Sequence, residues 1–217
     1  MHRRTAAAIA FAATIAASPV HSADRFPVLK SGELTPEQMK IVQSLLASPR
    51  GGGAEATPEA MDKMIARGPF NAYLRSPALG EQLVKLGEQI RYHTSLPLRL
   101  NEFAILITAR QWNSGYEWYA HYPLAIKAGL DPKVAADLAR NRKPKNMKEE
   151  EAAVYDFCTQ LHRGHKVGDA AYKRVAGLFG EKGVMDLIGV SGFYTLVSMT
   201  LNTAEVGVPA GEKDPLK

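Results

Sequence analysis

From Thr35 to Thr203 apolar residues recur at intervals of three and four, interrupted by short polar stretches rich in Gly or Pro, and no stretch alternates with the period of a strand. The pattern predicts an all-α chain folded as a compact multi-helix bundle. Thr35-Pro36-Glu37-Gln38 has the chemistry of a helix start, with Thr as cap and Pro in the first turn, and Met39, Ile41, Val42, Leu45 and Leu46 carry that helix to about Ala47. Ser48 to Ala56, with Pro49 and three successive glycines, reads as a flexible loop able to cover a pocket. Thr57-Pro58 repeats the start signal for a helix to Arg67, Gly68-Pro69-Phe70 opens another segment, and Ser76-Pro77 begins a helix to Tyr92. Further helices are expected from Asp131 to Arg140, Lys148 to His162, Asp169 to Phe179 and Gly183 to Thr203.

The stretch between Arg99 and Gly129 stands apart. Phe103, Ile105, Leu106, Ile107 and Trp112 make its first helix apolar almost all round, the signature of a core helix. Asn113-Ser114-Gly115 reads as a bend, Gly115 supplying the freedom to turn. In the second helix Glu117 and His121 lie four residues apart, hence on one face, and an antiparallel pairing lets Glu102 face the same space. A carboxylate beside an imidazole fixes its tautomer and raises its basicity, and a second carboxylate can trade protons with a substrate. Glu102, Glu117 and His121 are therefore the candidate catalytic residues, with His121 as general acid or base, Glu117 to orient it and Glu102 to shuttle or stabilise the proton. The plainer reading is a core or surface pair. Trp118 and Tyr122, with Tyr116 and Tyr119, can line a pocket for a planar ligand or serve as core or interface. Arg91, His93 and Arg99 are placed near the mouth, where Arg99 is the candidate for holding a substrate carboxylate by a charge-assisted bond.

Composition narrows the classes. His2, Arg3 and Arg4 followed by the apolar run Ala6 to Ala17 resemble a secretory signal, with cleavage near Ser22 and a periplasmic or secreted product. Loss of Arg3 and Arg4 takes the formal charge from +5 to +3, too small a balance to argue for nucleic acid. No membrane span is expected after cleavage, since the Gly183–Thr203 helix is interrupted by Gly and Ser. The single cysteine, Cys158, allows no internal disulfide and reads as a small buried residue. His162-Arg163-Gly164-His165 brings two histidines together without further ligands at metal spacing, so it reads as a turn. Phosphate-loop, dinucleotide-fingerprint, serine-elbow and zinc-protease patterns are all missing.

The run RLNE (Arg99 to Glu102), the apolar helix after it, YEWYAH (Tyr116 to His121) and the Ala-Gly-Leu helix end resemble the carboxymuconolactone decarboxylase superfamily, which includes the alkyl hydroperoxide reductase partner proteins. The likeness extends through GPFNAYLRSP (Gly68 to Pro77) and from His165 to Val206, about two-thirds of the chain. In the redox branch two cysteines precede the histidine by seven and four residues; here those positions are Ser114 and Glu117. Thiol–disulfide exchange needs an attacking and a resolving thiolate, so the resemblance is to the non-thiol branch. With the secretory signal at 1–22 set aside, the resemblance divides the remaining chain into an N-terminal helical extension at 23–67, a family-like helical domain at 68–210 and a tail at 211–217. It further implies a homo-oligomer, trimer or hexamer, with neither cofactor nor metal, acting as a decarboxylase or isomerase on a small carboxylated lactone or enolisable acid. The alternatives are an antioxidant activity of the redox branch, which the missing Cys-x-x-Cys opposes, and a non-catalytic small-molecule binding protein.

Overall fold

The computed structural model describes residues 25–217. Among these residues the secondary structure is helical: α1 Pro36–Ala47, α2 Pro58–Ile65, α3 Phe70–Tyr73, α4 Pro77–Tyr92, α5 Leu98–Gln111, α6 Gly115–Lys127, α7 Pro132–Ala139, α8 Glu149–Gly164 and α9 Asp169–Thr203, with a 3-10 turn at Ser31–Glu33. The expected leader lies outside the described residues. The caps of α1 and α2 follow the sequence signals: Thr35 Oγ1 accepts from the Gln38 N–H while the Gln38 side chain accepts from the Thr35 N–H, and Thr57 accepts from Ala60.

α5 is the axis of the bundle. Every residue from Leu100 to Ala109 is buried, because α6, α8 and α9 pack around it. A helix enclosed on all sides can carry apolar residues at every turn, which is why its periodicity is weak. The α5–α6 bend differs in detail from expectation. The left-handed residue is Asn113, at φ 49°, a residue type whose short side chain tolerates that region. Gly115 instead opens α6, where any Cβ would lie 2.4 Å from the Asp214 carboxylate of the C-terminal tail.

α9 is divided at Gly180, whose φ of 67° and ψ of 177° are closed to residues with a Cβ. The two expected helices are thus present end to end, joined at an angle instead of by a loop. By length and composition α9 could cross a membrane, yet half of its apolar stretch is buried in the bundle. Its inner face, with Leu187, Val190, Phe193, Tyr194 and Val197, joins a continuous apolar core that includes Val42 and Leu45 of α1 and Ile65 of α2. α1 and α2 therefore share one core with the helices from α3 to α9.

The Gly-rich stretch after α1 is an ordered turn. Ser48 Oγ donates to the Leu45 carbonyl at 2.7 Å and accepts from the Arg50 N–H at 3.2 Å, and the amides of Gly51 and Gly52 both donate to the Ser48 carbonyl at 3.0 Å. Gly51 is pressed onto the end of α1, with space for no side chain, while Gly52 and Gly53 hold positive φ. The turn's effect is to send the Arg50 side chain inward.

Candidate functional site

Glu102 stands in the first turns of α5 and is 2 % exposed, Glu117 and His121 stand one turn apart on α6 and are 3 % and 5 % exposed. The helical hairpin brings all of them together. His121 Nδ1 lies 2.6 Å from Glu102 Oε2, and its Nε2 lies 3.1 Å from Glu117 Oε1. Carboxylates only accept, so the two contacts require either an imidazolium donating from both nitrogens or a neutral ring and one protonated carboxyl. In both cases the triad holds two protons. Burial pulls the imidazole pKa down, but Glu102 and then Glu117 outweigh it and hold the ring above its ordinary value of 6.5. The Tyr194 ring meets His121 edge-on, 5.1 Å between centroids at 82°, and fixes its plane.

A small cavity, open to solvent at its mouth, lies over one side of this triad. His121 and Glu117 line it, with Tyr73, Tyr194, Phe70, Phe193, Arg50 and Arg91. Glu102 does not. Glu117, expected to orient the ring, faces the cavity, and Glu102, expected to shuttle the proton, does not. Burial, reinforced by Glu117, holds the Tyr194 phenol well above its usual pKa, and Tyr73 is raised by the same two causes. Both phenols are consequently neutral O–H groups, and the Tyr73 hydroxyl is buried without a partner among the described residues.

The remaining sequence candidates sit elsewhere. Arg99 does not line the cavity. Its guanidinium is held by Glu150, at 2.6 Å, and by Glu151, which tie the start of α5 to the first turn of α8. Trp118 and Tyr122 stack on one another at 6.3 Å and border a second, larger and mainly apolar groove with Tyr119, Pro123 and Ala139. One residue is about 100° of helix, so Trp118 is carried off the face that Glu117 presents. His93 is exposed at the end of α4. Of the cations at the mouth, Arg91 lines the cavity, as does Arg50, which sequence reasoning passed over.

Cys158 is buried, accepts a long contact from Ser191 Oγ at 3.6 Å, and has its thiol pushed up to about 12 by burial. It is a packing residue with no thiolate character. Among the described residues no group of His, Cys, Asp and Glu is arranged to hold a metal ion. Comparisons of the chain with protein-family models, with curated proteins and with solved structures found no match.

Proposed function

We propose that the protein is a cofactor-independent enzyme of the decarboxylase or isomerase type that moves a proton on a small carboxylated lactone or other enolisable acid. The observation that carries this reading is a buried imidazole clamped between two carboxylates, with one of them opening onto a cavity and the other closed off. Loss of CO₂ from such an acid, or removal of an α-proton, leaves an enolate that needs stabilisation and then a proton at carbon. In this reading Glu117 and His121 deliver that proton and take it back, and Glu102 keeps the ring oriented and basic. The neutral Tyr73 and Tyr194 hydroxyls, both buried, supply donors to a developing oxyanion.

The resemblance to the carboxymuconolactone decarboxylase superfamily favours the same reaction class and a homo-oligomer, while export to the periplasm is proposed from the charged and apolar N-terminal run alone. The inert Cys158 gives no support to thiol-dependent peroxide reduction. The test is CO₂ release from carboxymuconolactone by the purified mature protein. Turnover should fall about 100-fold or more in His121→Ala and in Glu117→Gln. Turnover unchanged in both variants would overturn the assignment. Saturable binding without turnover would instead favour a binding protein.

A further inference from the structure

Three arginines line the cavity: Arg67, which is exposed and donates to the Arg50 carbonyl, and two partly buried ones from different parts of the chain. Arg50 comes from the Gly turn after α1, and Arg91 from the last turn of α4. They converge on one ring, with the Arg50 Cζ 6.0 Å and the Arg91 Cζ 5.2 Å from the Tyr92 centroid, and Arg50 also lies 5.8 Å from the Phe70 centroid. Gly87 of α4 makes room for this: a Cβ there would stand 3.0 Å from an Arg50 Nη2. Arginines drawn into ion pairs elsewhere, such as Arg99, Arg142 and Arg174, have a carboxylate within 4 Å. Among the described residues neither Arg50 nor Arg91 has one, and the Arg91 Nε is buried without any hydrogen-bond partner.

Two guanidiniums gathered in a half-buried wall repel one another and lose hydration, a cost that natural sites offset with an anion. The buried Tyr73 hydroxyl, also without a partner, faces the same cavity. We infer that Arg50, Arg91 and Tyr73 form a carboxylate-binding subsite that anchors a small, flat organic acid between the Phe70 and Phe193 rings with its reactive carbon toward Glu117 and His121. A carboxylate fits better than a phosphate, because its planar fork matches a guanidinium and because Glu117 shares the cavity and opposes a dianion. The inference deepens the proton-transfer reading of the same cavity and rests on it for the orientation of the acid, while the binding itself can be measured separately.

The experiment is calorimetric titration of hexa-2,4-dienoate, of its amide and of inorganic phosphate into the full mature chain. The expected result is saturable binding of the acid, none of the amide, and weaker binding of phosphate. Arg50→Met and Arg91→Met should each weaken the acid by at least about tenfold, the scale of a lost charge-assisted bond, Arg50→Lys should recover part of it, and Arg142→Met on the surface should bind like the parent. A second readout needs no variant to fold: the acid should protect Arg50 and Arg91, and leave Arg142 unprotected, from phenylglyoxal as mapped by mass spectrometry. Absence of acid binding, equal binding of the amide, tighter binding of phosphate, or undiminished binding and no protection at the two arginines would each overturn the subsite. Arginine-dependent binding with no turnover contradicts the proton-transfer reading alone. Turnover that needs His121 but neither arginine contradicts the subsite alone.

Discussion

At the scale of single residues the decisive feature is the proton count of the Glu102–His121–Glu117 triad. Because its native pKa is raised above 6.5, His121 contributes stability that is complete below about pH 6.5 and lost as the pH climbs through the raised native value. His162 has the opposite sign. Its burial lowers its pKa, so it costs stability as the pH falls below about 6.5, where the unfolded chain takes up the proton first. Urea unfolding across this range should therefore show a decline above pH 6.5 that disappears in His121→Gln, and NMR titration should find the His121 ring titrating above 6.5, and lower in Glu102→Gln. The triad was legible in the sequence because four-residue spacing fixes a shared helix face and a short bend fixes antiparallel pairing. Arg99 was misread for a physical reason: the carboxylates that occupy it, Glu150 and Glu151, lie some fifty residues further on, and ion pairs at that separation leave no local signal. Arg50 was missed because its inward course depends on the fixed turn after α1 and on the room left by Gly87 of α4, neither of which has a local signal at Arg50.

At the scale of elements, helix starts and stops were readable because capping, proline and glycine act within a few residues. The Gly180 break is the clearest instance. A side chain at its φ and ψ costs about 1–3 kcal/mol, so Gly180→Ala should lower the unfolding free energy by that amount. Gly177, three residues earlier, is exposed in the same helix with open space where a Cβ would go. Gly177→Ala should raise it by about 0.5–1 kcal/mol, and denaturant titration of the pair checks both signs in one element. The Gly51–Gly53 turn was less legible. Successive glycines suggest mobility when read alone, and only the bonds to Ser48 and the closeness of Gly51 to α1 reveal a fixed conformation.

At the scale of the whole molecule, the all-α architecture followed from periodicity. Val42, Leu45 and Ile65, from the expected N-terminal extension at 23–67, are fully buried in the same cluster as Leu100 and Phe103. A chain with one core unfolds as one unit. Far-ultraviolet and aromatic circular dichroism should accordingly report coincident transitions, and a chain starting at Gly68 should fail to give the native aromatic spectrum. The same arrangement makes the first fifth of the described chain part of the site, because it carries Arg50 to the cavity wall.

The central claim is that Glu117 and His121 exchange a proton with the carbon of a bound enolisable acid. The most direct measurement is deuterium uptake at the α-carbon of muconolactone in D₂O, followed by NMR with the parent protein, His121→Ala and Glu117→Gln. The account predicts rapid uptake with the parent and about a 100-fold loss in each variant. Uptake no faster than in buffer, or equally fast in all the proteins, would contradict it.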